Sequence, residues 1–190
     1  MCGNGGRCIV SFARSCGIVR DHYRFRAADG FHEAVFLADG TVRLRMSDVE
    51  SIREVGGKTF TDTGSPHVVE QVHGLDAMDV FSAGRLIRNS APFVVEGTNV
   101  NFVELAADGM HVRTYERGVE DETYACGTGV TAVALVAASK GWIDSRAGAC
   151  SVRTRGGWLR VCFQKQGAGY SDIWLEGPAV KVFEGTISGF

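Results

Sequence analysis

The chain contains a copy of part of itself. Residues 2–19, CGNGGRCIVSFARSCGIV, align without a gap on residues 126–143, CGTGVTAVALVAASKGWI. Both open on Cys, Gly and Gly with one polar residue between the glycines, and later share Ala13/Ala137, Ser15/Ser139 and Gly17/Gly141. After a three-residue slip, FRAADGFHEAVF (25–36) matches VRTRGGWLRVCF (152–163) through an Arg, a Gly and a Phe. Duplication restricts the fold strongly, because two similar sequences must bury similar faces and form two similar units.

Each copy has the same local grammar. A Cys-Gly-polar-Gly turn leads into ten or eleven residues free of Gly and Pro (7–16 and 130–140), and Gly17 or Gly141 then offers a helix stop. Strands around a glycine turn follow: Phe25–Arg26 and Phe31–Phe36 in the first copy, Val152–Arg153 and Trp158–Phe163 in the second. Thr41–Met46 and Asp172–Leu175 add a strand to each. Val130–Ser139 is apolar on nearly every side, which predicts a buried helix. His67–Val72, Val100–Leu105 and Met110–Tyr115 read as further strands. The fold class is α+β, with two pseudo-symmetric lobes, each a central helix wrapped by mostly antiparallel strands.

The repeat also positions chemistry. Cys2 and Cys126 each stand immediately before a helix, where unpaired N–H groups and the helix dipole favour a thiolate. The glycines let the backbone approach a ligand closely, so each turn is also an anion cradle. Two similar thiols on two similar lobes suit inversion of one carbon: one removes a proton and the other returns one from the opposite face. Converging N–H groups would hold the charge that develops on a neighbouring carboxylate.

Other classes fit less well. A net charge of −2 gives no electrostatic grip on nucleic acid or an anionic membrane. No apolar run of membrane-spanning length occurs, and a soluble, cytoplasmic protein is expected. With 45% apolar residues the chain can fill a core without disulfides. The Cys2, Cys8, Cys16 spacing matches no structural metal pattern, so no metal is expected. Cys8, Cys16, Cys150 and Cys162 read as small core residues.

MCGNGGRC (1–8), GSPHVV (64–69), GTNVNFVE (97–104), TYERG (114–118) and ACGTG (125–129) closely resemble, in order, the motifs of diaminopimelate epimerase. The resemblance implies an isomerase with its site in a cleft between two lobes, no cofactor, an amino-acid substrate and a homodimer. It makes Cys2 and Cys126 the base and acid pair. It gives the reacting carboxylate to Gly3, Asn4, Gly127 and Thr128, the reacting ammonium to Glu116, and the distal carboxylate to Arg117 with Asn99. His67 would lie close to the thiols. A carboxylate for an ammonium and a guanidinium fork for a distant carboxylate are the partners such a substrate needs.

Three positions depart from that pattern. Ser65 stands where the family usually has Asn, as a shorter anchor for the distal end. The 119–122 loop is acidic. The family pattern also has a further segment ahead of the first cysteine, so the first lobe is expected to be incomplete. It would comprise residues 1–47 plus a final strand near 178–190, with 48–177 as the second lobe. Alternative readings are a proline- or hydroxyproline-type racemase, an inactive or merely binding remnant of the fold, and a cysteine hydrolase pairing Cys126 with His67.

Overall fold

The computed structural model describes residues 2–188. Three α-helices, α1 (Gly3–Ser15), α2 (Val80–Arg88) and α3 (Gly127–Lys140), pack on one long sheet. The strands before α2 are β1 (His22–Ala27), β2 (Gly30–Phe36), β3 (Val42–Arg45), β4 (Arg53–Val55), β5 (Lys58–Asp62) and β6 (Pro66–Gln71). After it come β7 (Asn99–Ala106), β8 (Gly109–Glu116), β9 (Asp121–Thr123), β10 (Ala149–Thr154), β11 (Gly157–Gln166) and β12 (Gly169–Gly177). They lie side by side in the order β1-β2-β3-β12-β11-β10-β8-β7-β6-β5-β4, and β9 adds to β8. Pairing is antiparallel except at β6–β7 and β8–β10. The α+β class and its mostly antiparallel sheet therefore agree with the sequence reading.

The two repeated helices are covered differently. In α3 every residue from Gly129 to Ala138 is buried, so a helix without a polar face is wrapped on all sides by sheet. Gly141, at φ 74°, ends it in the left-handed conformation that glycine adopts without steric penalty. In α1 only Gly3, Gly6, Arg7 and Val10 are buried, while Ile9 and Phe12 are 52% and 66% exposed. β12 joins the two repeats: it pairs with β11 on one side and with β3 on the other.

β6, β7 and β8 are buried on both faces because strand side chains alternate. Val69, Val103 and Val112 join the core around α3, while Val68, Val100, Phe102 and Tyr115 form a second core beneath α2. α2 was not expected from sequence. Asp79 caps it by accepting from Ser82 N, and Gly84 in its middle lets it lie on Tyr115, whose Cβ would be 2.2 Å from an added methyl.

Two expectations need correction. Residues 178–188 form no strand; this segment runs beside α1, with Ser11 Oγ donating to Ala179 O. Cys8 and Cys16 are exposed, and Cys150 and Cys162 are half-buried, so none of the four is a fully buried core residue. Cys8 belongs to α1, whose covered face is formed by other positions, and Cys16 caps the end of that helix.

Candidate active site

The two Cys-Gly turns meet. Cys2 and Cys126 both have extended backbone (φ −77°, ψ 120° and φ −111°, ψ 111°) and both precede the first helical residue. Their carbonyls accept from Gly6 N and Val130 N, each at 2.9 Å, so the first turns are closed alike. An added Cβ on Gly3 would lie 3.2 Å from Gly127 Cα, and one on Gly127 would lie 3.1 Å from Gly3 Cα. Only two glycines allow the helix starts to approach this closely.

Both cysteines line one cleft of about 710 Å³, within the range of small-molecule sites. Gly3, Asn4, Ser65, Asn99, Glu116, Arg117, Gly127 and Thr128 also line it, so the structure gathers these sequence candidates in one place. His67 lies behind the cleft wall and is fully buried.

His67 reaches the site through hydroxyls. Asn101 Nδ2 contacts His67 Nδ1 at 3.1 Å, Nε2 contacts Ser65 Oγ at 3.0 Å, Ser65 donates to Thr128 Oγ1 at 3.2 Å, and Thr128 Oγ1 lies 3.4 Å from Cys126 Sγ. An amide nitrogen can only donate, which assigns the acceptor role to Nδ1 and the proton to Nε2. Burial first, and then the charge of Arg117, push His67 down to about 3, so it is neutral and donates to Ser65. Ser65 is thus the middle of a hydrogen-bond chain ending at a thiol, where sequence reading gave it the distal end of a substrate.

At Cys126 the sequence expectation is reversed. Burial, with the charge of Glu116 second, pushes this thiol up to about 11; hydrogen bonds from Thr128 and the Gly129 N–H oppose the rise without cancelling it. A helix start favours a thiolate, but burial here outweighs it. Cys126 therefore holds its proton at neutral pH. Cys2 is exposed.

The far side of the cleft is ordered by Asn99 and Glu116. Asn99 Oδ1 accepts from Arg117 N at 2.9 Å, while its amide donates to Pro66 O at 3.0 Å. The Arg117 guanidinium donates to Glu96 O at 3.0 Å, and Glu116 accepts from Thr123 Oγ1 at 2.7 Å. No ion pair involving Arg117 or Glu116 occurs among the described residues.

Sequence reading missed Asn101, Thr63 and Arg7. Asn101 shares a strand face with Asn99, a spacing of two that was available as a signal. Thr63 donates to Thr128 O at 2.9 Å. Arg7 follows Gly3 by one helical turn and donates to its carbonyl.

In overall shape the chain is similar to a phenazine biosynthesis protein of the PhzF family from Bacillus anthracis, with a TM-score of 0.73 at 15% identity over 98% of this chain and 76% of that one. It is also similar to a hydroxyproline epimerase from Agrobacterium vitis, with a TM-score of 0.67 at 17% identity over 94% and 63%. The fold is thus the diaminopimelate-epimerase-like fold; the class, isomerase, comes from relatives of higher identity. The family model for diaminopimelate epimerase matches residues 59–182. The diaminopimelate epimerase of Flavobacterium psychrophilum is 40% identical over 98% of this chain and 73% of its own length; that of Chlorobaculum tepidum is 44% identical over 99% and 75%. The chain belongs to the diaminopimelate epimerase family.

Proposed function

We propose that the protein interconverts LL- and meso-diaminopimelate by a two-thiol acid/base mechanism. The observation that carries this reading is the Gly3–Gly127 contact, which brings two equivalent cysteine turns to one cleft. In one direction the Cys2 thiolate takes the α-proton. The electron pair of the broken C–H bond delocalises into the adjacent carboxylate, and the Cys126 thiol delivers its proton to the opposite face. Cys126 suits the donor role because it keeps its proton at neutral pH. Afterwards Cys2 is a thiol and Cys126 a thiolate, the state from which the reverse reaction runs.

The N–H groups at the starts of α1 and α3 suit the reacting carboxylate, since two helix N-termini converge there. Glu116 is proposed to hold the reacting ammonium, and Arg117, set by Asn99, the distal carboxylate. A cleft between a first lobe of 1–47 with 178–190 and a second of 48–177 follows from the same reading. So do a cytoplasmic homodimer serving lysine and peptidoglycan synthesis, and no cofactor. No helix among the described residues is long and apolar enough to cross a membrane.

The test is incubation of the full chain with LL-diaminopimelate in deuterated solvent. Meso product carrying deuterium at the inverted carbon is expected. Folded protein that yields neither meso product nor α-deuteration would sink the reading, and release of a hydrolysis product would favour the hydrolase alternative.

A further inference from the structure

Arg7 lines the cleft but has no part in the proton transfers. It is 5% exposed, and no ion pair is made to it among the described residues. Its Nη1 donates to Gly3 O at 3.2 Å, its Nη2 donates to Asn4 Oδ1 at 2.9 Å, and its Nε is buried without a partner. Burying a guanidinium with no carboxylate is costly, because it cannot shed its proton. The cost shows in Arg7 itself: burial pulls its affinity for the proton below the ordinary arginine range, against the favourable charges of Cys8 and then Cys2.

The repeat shows what the fold needs at this position. In the second copy the equivalent residue is Thr131, whose hydroxyl donates to Gly127 O at 3.0 Å, as Arg7 donates to Gly3 O. A small neutral side chain therefore meets the local need of the helix. What arginine adds is its second contact, to Asn4.

That contact fixes an amide. Asn4 Nδ2 donates across the cleft to Ala125 O at 2.9 Å, on the residue before Cys126. A flipped amide would turn its oxygen toward Ala125 O and its nitrogen toward the guanidinium. Arg7 can only donate and Ala125 O can only accept, so one orientation satisfies both.

We propose that Arg7 is a positioning residue: its guanidinium clamps Asn4 as a strut between the turn carrying Cys2 and the turn carrying Cys126. The strut holds the two thiols at a fixed separation across one carbon, and this role rests on the two-thiol reading above. The strut itself is a physical object that can be observed without turnover.

The experiment uses the full chain and three variants, Arg7→Met, Arg7→Lys and Asn4→Asp. Hydrogen exchange of the Asn4 side-chain amide, followed by ¹⁵N NMR in wild type and the Arg7 variants, reads the strut directly. Protection should fall about tenfold in Arg7→Met, the loss of one charge-assisted hydrogen bond. Kinetically, inversion should fall on the order of 10²-fold while KM moves less than about threefold, the mark of misplaced reacting groups. The ratio of α-proton exchange with retention to inversion should rise, because a proton removed by one thiol is no longer met by the other. A purely structural role would lower the folded fraction and leave that ratio unchanged. Asn4→Asp keeps the acceptor for Arg7 but loses the donor to Ala125, so it should raise the ratio likewise even if Arg7→Met fails to fold. Unchanged amide protection in Arg7→Met, an unchanged ratio in Asn4→Asp, or full rescue by Arg7→Lys, a point charge without a fork, would overturn the proposal. Wild type that neither exchanges nor inverts would sink the two-thiol reading, and amide protection would still decide the strut.

Discussion

The Cys126 thiol should be hard to ionise, and Thr128→Val should make it harder. Cys126 is 6% exposed, and burial with the Glu116 charge raises it from 9.0 to about 11. At pH 8 that change leaves ~100-fold fewer thiolates than an ordinary cysteine would have. Thr128 opposes it from 3.4 Å, its hydroxyl oriented from behind by Ser65. A hydrogen bond to a charged group contributes ~1.5–3 kcal/mol, and the long sulfur contact argues for the lower end. Thr128→Val should therefore cut the thiolate fraction about tenfold, and Glu116→Gln should raise it. Iodoacetamide alkylation of the full chain, with the Cys126 peptide followed by mass spectrometry between about pH 7 and 10.5, reads this directly. Exposed Cys8 and Cys16 serve as internal standards. Valine matches threonine in size, so the variant alters ionisation more than access. A Thr128→Val protein in which Cys126 alkylates at an unchanged or faster rate would refute the assignment.

Three further outcomes are expected. Gly127→Ala would bring a methyl to 2.9 Å from Leu175 Cδ2 and 3.1 Å from Gly3 Cα. It should cost ~1–3 kcal/mol in a urea melt and separate the turns enough to cut inversion on the order of 10²-fold; near-full turnover would contradict it. His67 binds a proton near 6.5 when unfolded and near 3 when folded, so the unfolded state holds more protons in that window. Stability should fall as pH drops through it, by up to about 1.4 kcal/mol per pH unit, and His67→Asn should flatten the slope in denaturant midpoints. Oxidation should silence the enzyme by linking Cys2 to Cys126, with dithiothreitol restoring activity; peptide mapping that finds Cys8 joined to Cys16 instead would argue against converging thiols.

The features written in local grammar were legible in the sequence. The Cys-Gly turns and glycine stops located α1 and α3, and alternation around Gly30 and Gly157 located β1, β2, β10 and β11. What escaped depends on partners distant in sequence. α2 carries a glycine, Gly84, in its middle, and the reason for it is visible only once Tyr115 is seen packed against it. Cys8 and Cys16 looked apolar enough to bury, but burial of Cys8 depends on which face of α1 meets the sheet, and Cys16 sits at that helix's exposed end. The helix start at Cys126 is visible in the sequence, whereas the desolvation imposed by the surrounding sheet is not. Ser65 and His67 sit in one motif, yet their joint aim at Cys126 exists only because α3 starts beside them.

β12 makes the earliest part of the chain wait for the latest. Arg43 of β3 pairs with Glu176 of β12, 133 residues further on. At translation rates of about 5–20 residues per second, β3 emerges on the order of ten seconds before the strand that joins it to the second repeat. During that interval Cys2 has no opposing turn, while the strands that will wrap α3 are still being made. One thiol of the pair is therefore old before the other has a place to stand, and its survival in reduced form depends on the surrounding medium rather than on the fold.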